Sequence, residues 1–123
     1  MATTPEINGL LLKTNGEAQA VSYPRAEFLA GLYRDIECRT VTTVQVNGAL
    51  TIWADDEGLF VENPEINRVA SELSGSPIVG NIVFTGGVDD EGDTLSLHKQ
   101  IAERLLTLLG LSNSIVLIQN KDS

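Results

Sequence analysis

Carboxylates are the groups in this chain with the most chemical capacity, and they fall in two clusters. Asp89, Asp90, Glu91 and Asp93 are hard oxygen donors close enough in sequence to test as a calcium loop. They miss the EF-hand template: counted from Asp89, the sixth position is Thr94 where glycine is needed and the twelfth is Gln100 where glutamate is needed. A solvated acidic loop is the better reading. Asp55, Asp56 and Glu57 could supply an acid and a base, because adjacent carboxylates raise one another's pKa values. Consecutive residues in a turn diverge, however, and no His, Lys or Arg in that segment completes a proton-transfer pair. The cluster reads as a charged turn that also discourages edge pairing of strands.

The remaining reactive types are sparse. His98 is the single histidine, too few for a histidine metal site, and no motif around any serine points to a Ser-His-Asp triad. Cys38 lies between Glu37 and Arg39 with nothing nearby to lower its thiol pKa, so it reads as a small hydrophobe rather than a nucleophile. Gly75, Gly80, Gly86, Gly87 and Gly92 match neither the Walker spacing nor the dinucleotide fingerprint, and read as turns. Catalytic residues, metal and cofactor are therefore all expected to be none. Trp53 is the one residue with two open roles. It could anchor a binding surface, since large rigid aromatics dominate interface energetics, or a helix could cover its face and bury it as core.

The elements that would carry these residues follow from periodicity. Segments 7–13 and 18–21 flank Asn15-Gly16 and predict a hairpin; 39–46 and 49–54 flank Asn47-Gly48 and predict a second. Between them Pro24 suits a helix's first turn, and Phe28, Leu29, Leu32, Tyr33 and Ile36 share one face at three- and four-residue spacing. Gly31 inside that helix marks close approach to the sheet. Along 50–55, Leu50, Ile52 and Ala54 point one way while Thr51, Trp53 and Asp55 point the other. Residues 59–61 continue the sheet briefly, Asn63-Pro64 breaks it, and Asn67 caps a short helix over 68–74 that Gly75 ends. The apolar run 78–85 predicts a central strand. An exposed loop over 86–93 precedes a helix over 94–109, with its carboxylates near the helix's positive end, and 115–118 predicts an edge strand. The sum is one α+β domain over 1–123, an antiparallel or mixed sheet with two main helices and one short helix, and tails at 1–5 and 120–123.

Composition narrows the partners. The chain has 123 residues, 42% hydrophobic and 20% charged, which excludes disorder and allows one core. Its net charge of −9 repels phosphate backbones and anionic lipid, so direct nucleic-acid binding is disfavoured. One cysteine excludes an internal disulfide, and the chain shows neither a leader pattern at its start nor an apolar run long enough to span a bilayer. A cytoplasmic location is the expectation.

Three of these stretches also carry a family resemblance. Leu50-Thr-Ile-Trp53 leading into Asp56-Glu57-Gly58, then Asn67-Arg68 with Ala70, then Ile78-Val79-Gly80-Asn81 before an apolar strand, resemble a family of phage and mobile-element proteins, domain of unknown function 3846. The likeness covers residues 35–86. The intervening segment 60–66 is longer than the family pattern. The resemblance implies a small accessory protein and no particular activity. Together with the charge, it leads to the expectation of non-catalytic binding to a host protein through Trp53, Asp55, Asp56, Glu57, Asn67 and Arg68. Two alternatives stay open: a binder that sequesters a small molecule or nucleotide signal, which would need Arg25, Arg34, Arg39 or Arg68 to converge, and a structural assembly protein. The oligomeric state is open, a homodimer included.

Overall fold

Alternation along the strands, joined to the order in which they pair, sorts the apolar side chains onto two faces of one sheet. The structure, a computed structural model, describes residues 6–57 and 65–108. In chain order these form β1 (Glu6–Leu12), β2 (Ala18–Pro24), a 3-10 turn (Arg25–Glu27) running into α1 (Phe28–Ile36), β3 (Val41–Asn47), β4 (Leu50–Asp55), α2 (Arg68–Ser74), β5 (Ile82–Thr85) and α3 (Lys99–Leu108). The five strands pair in the order β2-β1-β5-β4-β3, antiparallel throughout. Two hairpins thus stand side by side with β5 inserted between them.

Both expected hairpins are present, but each turn works differently from a plain Asn-Gly turn. In the first, Gly16 N–H donates to the Lys13 carbonyl at 3.0 Å and Lys13 N–H to the Glu17 carbonyl at 2.9 Å, with Gly16 alone at positive φ, 94°. This is the three-residue hairpin loop that ends in a glycine bulge. In the second, Asn47 pairs with Leu50, and the Asn47 side chain accepts the Ala49 N–H at 2.7 Å. A register shift between Gln45 and Asn47 takes up the extra residue, so Gly48 needs no left-handed conformation.

Ile82 and Phe84 of β5 face one side, Val83 and Thr85 the other, and all four are buried. Burial on both faces is why this segment reads as a continuous apolar run. The strand is shorter than the 78–85 expected from sequence. Ile78 instead accepts the Asn67 N–H at 2.8 Å, Val79 bridges to Ile66, and Gly80 turns the chain at φ 85° before β5 begins. Gly80 therefore serves backbone conformation and not close packing, since a Cβ there would meet nothing within 4 Å.

Helix α1 covers one face, where Phe28, Leu32 and Ile36 pack with Ile7, Tyr23 and Val83. Its buried residues are Phe28, Gly31, Leu32 and Ile36, and Leu29, expected on the same face, is 48% exposed. Pro24 closes β2, and the first helical turn after it is 3-10. Gly31 is where α1 lies flush on the sheet: a Cβ there would sit 2.3 Å from the Tyr23 ring. Helix α1 ends with Glu37 in the left-handed region at φ 65°. The opposite face carries Leu10, Leu12, Ile52, Ala54, Ile82 and Phe84 under Ala70 of α2 and Ala102, Leu105 and Leu106 of α3.

Helix α3 begins at Lys99, not at Thr94. The backbone of 94–97 finds its partners beyond β5 and in β1: Thr94 bridges to Val88, Leu95 N–H donates to Gly87, Gly86 N–H to Leu95, and Leu97 N–H to Asn8 at 2.8 Å. An extended segment with its amides already paired has no reason to coil. The end of the acidic loop, Gly92 and Asp93, lines a cleft with residues 25–30 at the start of α1. No helix among the described residues is long and apolar enough to cross a membrane. The expectations for 1–5, 58–64, the end of the last helix at 109–110, the strand at 115–118 and the tail at 120–123 lie outside the described residues.

Candidate functional site

The six residues expected to form one binding surface are divided by the sheet. Trp53 and Asp55 stand on the α1 face, whereas Asn67 and Arg68 open α2, which packs on the other. Trp53 lies between its two alternatives, half-buried against the core of the α1 face. Its ring meets Phe28 edge-on, centroids 5.0 Å apart at 89°, and its Nε1–H donates to Thr85 Oγ1 at 2.8 Å. Beside it Thr51, paired across strands with Thr85, keeps a buried hydroxyl without a hydrogen-bond partner among the described residues.

Asp55 accepts the Glu57 N–H at 2.9 Å and Asp56 N–H donates to the Thr40 carbonyl at 3.1 Å, so this acidic segment is a self-bonded turn. Arg39 reaches Glu57 at 3.6 Å with both side chains well exposed, a contact of small energetic value. Asn67 is only 2% exposed and has no surface to offer. Its side chain accepts the Ala70 N–H at 3.3 Å and donates to the Leu12 and Gly80 carbonyls at 3.2 and 3.0 Å. It caps α2 as expected, and it also ties that helix to β1 and to the entry of β5. Arg68 is exposed in the first turn of α2.

The titratable groups are arranged for structure. The Cys38 thiol is pushed up to about 11, by burial first and by the Asp55 carboxylate second, which leaves little thiolate at neutral pH. The Tyr23 hydroxyl donates to Asp35 Oδ2 at 2.6 Å, and burial followed by that hydrogen bond holds its pKa well above the ordinary phenol value. Arg34 completes this group from Asp35 Oδ1 at 3.2 Å, and the contact raises its own pKa. His98 Nδ1 accepts the Gln100 N–H at 3.1 Å and so caps α3. Arg25, Arg34 and Arg39 are each held by a separate partner, Thr94, Asp35 and Glu57.

In the second acidic cluster one oxygen each from Asp89, Glu91 and Asp93 lies within 4.8 Å of the others. Asp89 Oδ1 is committed to the N–H groups of Glu91 and Asp93 at 2.8 and 2.9 Å, and Asp89 N–H donates to the Asp93 carbonyl at 2.9 Å. With the Gly92 N–H to Asp89 carbonyl bond at 3.0 Å, these bonds set the turn's shape. Beside it lies a cleft of about 400 Å³ between the 3-10 turn and residues 92–94, lined by Ile7, Arg25, Glu27, Phe28, Leu29, Ala30 and Asp93 among others. Sequence reasoning weighed Asp93 as a calcium ligand and Arg25 as part of an arginine cluster, but joined neither to the start of the first long helix. The signal was divided between a helix start and a loop far along the chain, which the Arg25 Nη2 contact to the Thr94 carbonyl, 3.0 Å, joins.

No curated protein and no solved structure gives a significant match to the chain. A family model described as a domain of unknown function, DUF3846, matches residues 7–110. The match is wider than the 35–86 stretch that carries the resemblance by eye, and it runs from β1 through α3. The chain belongs to the DUF3846 family.

Proposed function

We propose that this protein acts by non-catalytic binding to a protein partner, as an accessory protein of phage or mobile-element origin that works in the host cytoplasm. The observation that carries this reading is the acidic turn 89–93. Its carboxylates are presented by a loop whose own backbone bonds hold it in shape, so a partner does not have to meet the cost of ordering it. The net charge of −9 adds long-range attraction for a basic surface and repulsion of nucleic acid. Trp53, Tyr23 and Cys38, the side chains with most capacity for contact or chemistry, are spent on packing or held in unreactive states, which leaves charge as the feature on offer.

The test is recovery of host proteins on the immobilised full chain, with a Glu91→Gln, Asp93→Asn variant as comparison. Both side chains are exposed, so thermal midpoints should agree. A defined host protein retained by the wild type and lost by the variant is the expected outcome. Identical recovery by both proteins, at physiological salt, would remove the acidic turn from the account.

A further inference from the structure

The geometry points to the cleft beside the start of α1 as a docking site for a protein segment that presents a lysine or arginine next to an aliphatic side chain. This rests on the binding reading above and names its site and the chemistry of its partner. The floor of the cleft is apolar, with Ile7 from β1 and Phe28, Leu29 and Ala30 from α1. Phe28 is held edge-on by two rings, Tyr23 at 5.7 Å and Trp53 at 5.0 Å between centroids, so that floor does not yield. Leu29 is 48% exposed, an apolar side chain left over from an otherwise buried helix face.

The rim decides the occupant. Glu27 and Asp93 line the cleft, and the carboxylates of Asp89 and Glu91 lie within 4.8 Å of Asp93. The one cation in the lining among the described residues, Arg25, donates to the Thr94 carbonyl at 3.0 Å and bridges the two walls. Among the described residues the lining holds two carboxylates against one guanidinium, and Asp89 and Glu91 beside Asp93 add to the negative side, so an anion is repelled. A purely apolar occupant would leave the carboxylates without partners. A lysine or arginine meets both demands, because its methylene stem lies along apolar surface while its head reaches a carboxylate. A volume of about 400 Å³ is near the lower end for ligand pockets and holds one or two side chains, not a helix. The net charge of −9 steers the same class of partner toward the molecule.

The experiment titrates the isotope-labelled full chain with a capped peptide of sequence Gly-Leu-Arg-Leu-Lys-Gly at 0.15 M salt, following backbone amides. The control peptide carries glutamate at both basic positions. Two variants accompany the wild type: Ala30→Trp, which fills the cleft from an exposed helix position, and Glu27→Gln with Asp93→Asn, which neutralises its rim. The expected result is shift changes confined to residues 25–30 and 92–94 with the basic peptide alone. Affinity should fall about tenfold in each variant at an unchanged thermal midpoint, the loss that about 1.4 kcal/mol represents.

Shifts spread evenly over 55–57 and 89–93, or unaltered affinity in Ala30→Trp, would overturn the assignment. So would cleft amides that move when residues 1–5 are removed and then ignore the peptide, since the chain's own amino end would be the occupant. If Ala30→Trp still recovers the same host protein as the wild type, the binding function stands and the cleft falls. If no variant and no wild type recovers any, the function itself falls.

Discussion

The two faces of the sheet are held by different physics. On the α1 face the contacts are directional: Tyr23 to Asp35, Trp53 to Thr85, two edge-on ring pairs and a glycine that lets the helix lie flush. On the α2 and α3 face aliphatic side chains pack around one ring, Phe84, and one amide, Asn67, organises the polar groups. Directional contacts position side chains, whereas aliphatic burial supplies most of the free energy. The face that positions is also the one whose helix start forms the cleft, so Trp53 contributes to that surface from behind, through Phe28.

This contrast can be broken by ranking substitutions. Phe84, fully buried on the α2 and α3 face, should cost about 3–5 kcal/mol on Phe84→Ala, whereas Trp53→Phe, which keeps a ring and drops one hydrogen bond, should cost about 1 kcal/mol. Urea denaturation that reversed this order would place the energetic centre under α1. Asn67→Ala removes a cap and two further hydrogen bonds of a buried amide, and should cost about 2–4 kcal/mol. Asn67→Asp keeps the cap but not the donors. Full stability in that variant would reduce Asn67 to a cap.

Smaller effects sharpen the description of the α1 face. Gly31→Ala should destabilise by about 1–3 kcal/mol through overpacking on Tyr23, even though alanine is the better helix former by about 1 kcal/mol. A stabilised variant would mean that α1 does not rest on the Tyr23 ring. Tyr23 also predicts a pH effect with a definite sign. The folded state keeps its proton where the unfolded chain loses it, above about pH 10, so its contribution is complete below that pH and is lost as pH rises, by about 1.4 kcal/mol per unit. Denaturation between about pH 10 and 12 should show this slope in the wild type and a shallower one in Tyr23→Phe. Thr51→Val removes an unpartnered buried hydroxyl and should raise the melting temperature, by a gain of about 1 kcal/mol or less. A loss would reveal a partner for Thr51.

Local signals were read correctly where the chain makes its own partners. Asn67 before Arg68 and Gly75 after Ser74 delimit α2 as expected, because a cap and a left-handed stop act within one turn. The alternation of Leu50, Ile52 and Ala54 against Trp53 likewise follows from the pleat. The start of α3 was misread for the complementary reason. Thr94 to Leu97 has helix-compatible residues, but Gly86 and Gly87, across the acidic turn, and Asn8, distant in sequence, offer its backbone better partners.

The sheet's composition, the two hairpins, the covering helices and the absence of a recognisable catalytic motif all follow from residue order, since they depend on spacing over a few residues. Which helix takes which face, that Trp53 is half-buried on the α1 face while Asn67 lies across the sheet from it, and that Glu27 meets Asp93 at a cleft follow from strand order. Insertion of β5 between the hairpins sets all three. Pairings of that length carry no periodic signature, because they are chosen by the total burial of both faces and not by any neighbouring residue.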